Sequence, residues 1–148
     1  MSRYPFTSYP NGWFVVALSS ELPAKGVQRM HYFGQELVLF RTESGVANIL
    51  DAYCPHLGAH MGEGGCVKGE TLECPFHSWR FNGAGQCTEI PYSQKIPRQA
   101  KTRAWQVREV HGLIALWHHA EGKEPTSEPM LPDYNDEGTW SEDRKSVV

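Results

Sequence analysis

Two short segments carry the chemistry of this 148-residue chain. YCPHLGAH at 53–60 supplies Cys54 and His56 as a Cys-x-His pair, and CPFH at 74–77 supplies Cys74 and His77 as a Cys-x-x-His pair. Thiolate and imidazole are natural ligands of zinc and of iron–sulfur clusters. A structural Cys2His2 zinc site usually places both cysteines on one knuckle and both histidines on another. Here each segment offers one of each. Mixed donation suits a [2Fe–2S] cluster held between two loops, each lending its Cys to one iron and its His to the other. The pattern favours that reading over a single zinc ion or an empty, degenerate site.

The neighbours of these residues have readings of their own. Pro55 and Pro75 stiffen the loops at the cost of an N–H each. Gly58, Gly62, Gly64 and Gly65 let the first loop turn tightly and bring amides near the sulfurs, with plain loop flexibility as the bland alternative. Trp79 is expected to pack beneath the second loop, and Leu57 and Phe76 to form an apolar lid. His60 stays outside the donor set because two Cys and two His already complete it; a surface or supporting role is expected. His31, His111, His118 and His119 lack a partner pattern, and Cys66 and Cys87 read as free thiols. The basic group Lys95, Arg98, Lys101 and Arg103 is either a solvated face or a surface that steers an acidic partner, or the chain's own acidic end, toward the protein.

These loops need a scaffold, and the chain offers short strands between turn signals. WFVVAL at 13–18, VQRMHYF at 27–33, ELVLFR at 36–41, VANILD at 46–51, TLEC at 71–74, WRF at 79–81, TRAWQVREV at 102–110 and LIALWHH at 113–119 all read as strands. Tight connections are expected at Gly34-Gln35, Ser44-Gly45, Asn82-Gly83 and His111-Gly112. The stretch 102–110 alternates imperfectly, with Trp105 and Val107 on one face and Arg103 and Arg108 nearer solvent. No segment sustains a helical period over three turns. The expected fold is all-β, built of small sheets around two cluster-binding loops.

Length and composition fit one domain able to bury roughly 68% of its extended surface. The net charge of -3 is uneven: residues 1–120 sum to +2 and residues 121–148 to -5. The body is residues 1–120, and 121–148 reads as an acidic, Pro-containing tail or linker start with Tyr134 and Trp140 as possible anchors. A near-neutral body argues against nucleic-acid binding, and the apolar run GWFVVAL is too short to span a bilayer. With no export signal evident and two cysteines engaged in the motifs, the cytoplasm is the expected compartment.

YPNGWF at 9–14, ILDAYCPHLGAHMGEGG at 49–65, LECPFHSWRFNGAGQC at 72–87 and IPYSQKIP at 90–97 together resemble the Rieske [2Fe–2S] domains of non-haem iron oxygenases. The likeness is to the steroid-directed branch, which includes ketosteroid 9-alpha-hydroxylases and cholesterol 7-desaturases. It implies a Rieske-type fold and one [2Fe–2S] cluster, with Cys54 and Cys74 on the buried iron and His56 and His77 on the outer one. It further implies one-electron transfer from a flavin-containing reductase to a mononuclear non-haem iron oxygenase. The alternative is the Rieske component, or truncated N-terminal domain, of a steroid-type monooxygenase or desaturase; a structural zinc module is the rival from another class. No catalytic residue is expected, because Asp133, Asp136 and Glu137 lack the histidine pair that a mononuclear iron triad needs.

The respiratory Rieske type bridges its loops with an extra cysteine in each. The matching positions here are Ala59 and Phe76, so that bridge is absent. Where that type places a serine hydroxyl beside a sulfur, this chain has Trp79. Fewer hydrogen bonds to sulfur lower the potential, toward about -150 mV.

Overall fold

A computed structural model describes residues 8–130. Among the described residues, eleven short strands form three antiparallel sheets, and the helical content is one 3-10 turn, Ser19–Glu21. The first sheet has β1 (Gly12–Leu18), β11 (Leu113–His118) and β10 (Val107–Val110), in that order. The second has β2 (Val27–Tyr32), β3 (Gln35–Arg41), β4 (Ala47–Asp51) and β9 (Ala104–Trp105). The third runs β5 (Cys66–Lys68), β6 (Thr71–Glu73), β7 (Arg80–Asn82) and β8 (Cys87–Glu89). Among the described residues no helix is long and apolar enough to cross a membrane.

β3 explains how one small chain supports two cores. Its central run Leu37–Phe40 is fully buried, and successive side chains point to opposite faces. Leu37 and Leu39 join Val16, Ile49, Trp105, Ile114 and Leu116 against the first sheet. Val38 and Phe40 join Leu50, Met61, Leu72 and Phe81 against the third. A sheet covered on both faces reads as a continuous apolar run rather than an alternation. The second core also contains Cys54, Cys74 and Trp79, so the candidate loops grow out of packed hydrophobic structure.

Three sequence expectations shift. The β2–β3 turn falls on Phe33-Gly34, one residue earlier than Gly34-Gln35, because Tyr32 pairs with Gln35. Phe33 adopts φ +55°, and its ring lies 4.2 Å from His118 and 5.9 Å from Trp105 in stacked geometry. Aromatic packing thus holds a residue that local turn preference would not choose. The stretch 102–110 is two strands: β9 pairs with β4, and β10 with β11. Its broken alternation marks the place where the chain passes from one sheet to another. Strands β5 and β8 are missing from the runs that read as strands in the sequence, since each is three residues long with a single buried side chain.

Residues 121–130 fold back on the first sheet. Trp13 Nε1–H donates to the Ser127 carbonyl at 2.7 Å and Trp117 Nε1–H to that of Lys123 at 2.8 Å. Arg108 grips Glu128 through Nε and Nη2 at 2.7 and 3.2 Å. Tyr134, Trp140, Asp133, Asp136 and Glu137 lie outside the described residues.

Candidate metal centre

The two motif segments fold into the same turn. In the first, Cys54 N–H donates to Ala59 O at 2.8 Å and Gly58 N–H to Cys54 O at 2.9 Å. In the second, Cys74 N–H donates to Trp79 O at 2.8 Å and Ser78 N–H to Cys74 O at 3.1 Å. The fourth residue after each cysteine carries the left-handed conformation, Gly58 at φ +78° and Ser78 at +59°. Superposing the turns on their cysteines matches Pro55 with Pro75 and Gly58 with Ser78. His56 and His77 then occupy neighbouring, not identical, places, and the different spacings in the sequence reflect that.

The four candidate donors meet as two pairs. Cys54 and Cys74 are buried, close enough that the Cys74 thiol acts on that of Cys54. Burial, with the neighbouring Cys74 thiol adding to it, pushes the Cys54 thiol up to about 12, against an opposing hydrogen bond from the His56 backbone N–H. Toward solvent, the rings of His56 and His77 sit edge to face with centroids 4.8 Å apart. His77 is exposed and His56 half-buried. Among the described residues no three His, Cys, Asp or Glu side chains cluster as a single-ion site. Sulfur inside and nitrogen outside, on opposed turns, is the donor chemistry that a [2Fe–2S] group with two Cys and two His requires.

Other residues brace the loops. Trp79 lies flat against His56, with ring centroids 4.3 Å apart and planes inclined by 11°, and its Nε1–H donates to the Tyr92 hydroxyl at 2.6 Å. His60 ties the first loop to β3. Gly62 N–H donates to His60 Nδ1 at 3.0 Å, which places the ring proton on Nε2, facing Glu36 Oε2 at 3.3 Å. Arg29 holds the same carboxylate at 3.0 and 3.1 Å and depresses it to about 2. Beneath the second loop, Arg80 joins Glu73 at 2.8 Å and Glu89 at 2.7 Å across β6, β7 and β8.

Close packing accounts for Gly65, where a Cβ would lie 2.0 Å from Met61 O. Leu57 and Phe76 stand exposed beside the imidazoles, at 67% and 65% of their accessible surface. They form lips around the ring pair, not a closed lid. Cys66 and Cys87 are free thiols, exposed and buried respectively. Sequence reasoning passed over Ser78, Tyr92 and Glu36. Aligning the two segments on their cysteines would have exposed Ser78 as the counterpart of Gly58; the other two had no local signal.

Fold and site together define a Rieske [2Fe–2S] domain: the family matches residues 12–109, and the chain belongs to it. It carries one [2Fe–2S] cluster, and the zinc reading is set aside. The chain is 49% identical over 131 residues to a cholesterol 7-desaturase, nvd 1, of Ciona intestinalis, covering 88% of this chain and 27% of that protein. It is 41% identical over 141 residues to the oxygenase component of a probable 3-ketosteroid-9-alpha-monooxygenase of Rhodococcus rhodochrous, covering 93% and 35%. Among solved structures, apo dicamba monooxygenase superposes with a TM-score of 0.72 at 30% identity, over 81% of this chain and 37% of that one. The chain therefore spans about a third or less of the curated relatives named here.

Proposed function

We propose that this domain relays single electrons from a flavin-containing reductase to a mononuclear non-haem iron oxygenase, with Cys54, His56, Cys74 and His77 as the cluster ligands. The observation that carries the reading is the sorting of the four donors, thiols buried at 4% and 3% exposure, His56 half-buried and His77 exposed. When bound, the cluster would supply a one-electron acceptor and donor, with Cys54 and Cys74 holding it from the buried side and His56 and His77 from the side toward solvent.

The protein's own groups prepare that site. Cys54 and Cys74 must lose their protons on metal binding; at Cys54 burial opposes that loss and the His56 backbone N–H assists it. The second core excludes water from the sulfur side, and the Trp79 face fixes the His56 ring. His77 offers an uncovered edge to a partner. We assign residues 1–120 to this unit and 121–148 to an acidic extension, and all four cysteines free of disulfides accord with a reducing cytoplasm.

A second reading, favoured by the coverage of the relatives, treats the domain as the electron-transfer part of a steroid-type monooxygenase or desaturase. The two readings share one site and one experiment. Anaerobic reconstitution should yield two irons and two acid-labile sulfides per chain and an electron paramagnetic resonance signal on reduction. Cys54→Ser should abolish assembly. A full complement of iron in that variant would refute the ligand assignment.

A further inference from the structure

We infer that the strap following β8, residues 91–103, is the docking face for an acidic-rimmed redox protein, with Tyr92 and the lips of the two loops as its apolar centre. The inference rests on the electron-transfer reading and adds the place and charge of the partner.

Residues 91–103 carry Lys95, Arg98, Lys101 and Arg103 and no Asp or Glu, in a chain whose net charge is -3. The rest of the protein is thus markedly negative, and the strap holds a disproportionate share of the positive charge. Among the described residues none of these four cations has a carboxylate within ion-pair distance, whereas Arg29, Arg41, Arg80 and Arg108 each do. The described acids of the following segment are engaged elsewhere, Glu128 with Arg108 and Glu124 with Gln106. Uncompensated cations on a negative protein are what an acidic surface would recognise.

The strap also reaches the electron-transfer site. Tyr92 accepts the Trp79 indole N–H at 2.6 Å, and Trp79 stacks on His56. Phe76 stands 6.2 Å from the His77 ring, centroid to centroid. Tyr92, Leu57 and Phe76 are each about two-thirds exposed; Phe76 flanks His77, Leu57 follows His56 in the chain and Tyr92 is tied to His56 through Trp79. Every residue from 91 to 99 faces solvent. Yet the backbone is ordered by short bonds: Ser93 N–H to Ile90 O at 3.0 Å, Ala100 N–H to Pro97 O at 3.0 Å and Cys87 N–H to Ala100 O at 2.9 Å. An apolar centre with a charged rim on a preformed backbone is the anatomy of a transient protein interface.

The test uses photoreduced acidic plant-type [2Fe–2S] ferredoxin as donor. One electron leaves the ferredoxin and one enters the protein's cluster, with no atom transferred. Stopped-flow reduction of the wild type should slow about tenfold between roughly 0.01 and 0.15 M ionic strength. Lys95→Glu/Arg98→Glu should lose about tenfold at low salt and become nearly salt-independent. Lys123→Glu, on the first-sheet side, should behave as wild type. The methyl viologen radical cation should reduce wild type and strap variant at equal or inverted rates. Equal ferredoxin rates in wild type and strap variant, with cluster spectra intact, would overturn the docking face and leave the electron-transfer reading standing. Absence of the cluster spectrum would refute that reading itself. Neutralising Asp133, Asp136, Glu137, Glu142 and Asp143 should leave the ferredoxin rate unchanged. A rise there would mean that the chain's own acidic end occupies the strap, and would also overturn the proposal.

Discussion

Trp79 links two features that lie on different loops: its indole face covers His56 at 4.3 Å, and its N–H is held by Tyr92 at 2.6 Å. The indole hydrogen is therefore committed to a phenol and is not available to a sulfur. That bond supports the expectation of a potential near about -150 mV, since hydrogen bonds to sulfur raise it. Tyr92→Phe leaves the indole N–H without its acceptor and should cost about 1 kcal/mol, seen as a lower thermal midpoint. Its effect on the midpoint potential should disappear in a Trp79→Phe background, because the two residues act through one bond. Additive effects in a redox titration would show that Tyr92 does not work through Trp79.

His77→Cys tests the outer pair. A thiolate in place of an imidazole should retain some cluster and move its potential from about -150 mV toward about -400 mV, the range of all-cysteine clusters. An unchanged potential would remove His77 from the ligand set.

The equivalence of the two turns makes an opposed pair of predictions. Ser78 sits at φ +59° with a side chain that disfavours it, and Gly58 at +78° has no such penalty. Ser78→Gly should be neutral or stabilising, by up to about 1 kcal/mol, and Gly58→Ala destabilising by about 1 kcal/mol. A Cβ at Gly58 meets no atom within 4 Å, so the cost is conformational rather than steric. Thermal melts of both reconstituted proteins would check the signs, and a destabilised Ser78→Gly would mean that its hydroxyl matters more than its backbone.

Acid should loosen the junction between the first two sheets. Arg41 on β3 grips Glu109 on β10 through two bonds of 2.9 and 2.8 Å. The guanidinium holds the Glu109 carboxyl below the usual carboxylate range. A carboxylate depressed by folding stabilises the protein above its unfolded value, near about 4.3. That stabilisation disappears as pH falls through the lower folded value. Glu109→Gln should therefore cost about 1 kcal/mol at pH 7 and progressively less as pH falls below the usual carboxylate range. Melting curves for both proteins across that range should converge at the acidic end; a constant gap would assign the loss to packing instead.

Legibility in the sequence followed the range of the interactions. Strands β1, β3, β4 and β11 announced themselves through apolar runs bounded by turns, and the donor residues through type and spacing within a few positions. Strands of three residues with one buried side chain left too little periodicity to see. The Phe33 turn was displaced by rings contributed from β1, β9 and β11.

What the sequence by itself determined is the inventory of chemistry: two thiols, two imidazoles, one of each per glycine-flanked segment, on an all-β chain. Only the tertiary structure decided that both segments share one turn, that Trp79 stacks on His56 and that Tyr92 reaches back to Trp79. The physical reason is that ligand chemistry resides in individual side chains. Burial, stacking and the meeting of distant loops arise from how β3 is packed on both faces and how β6 and β7 pair.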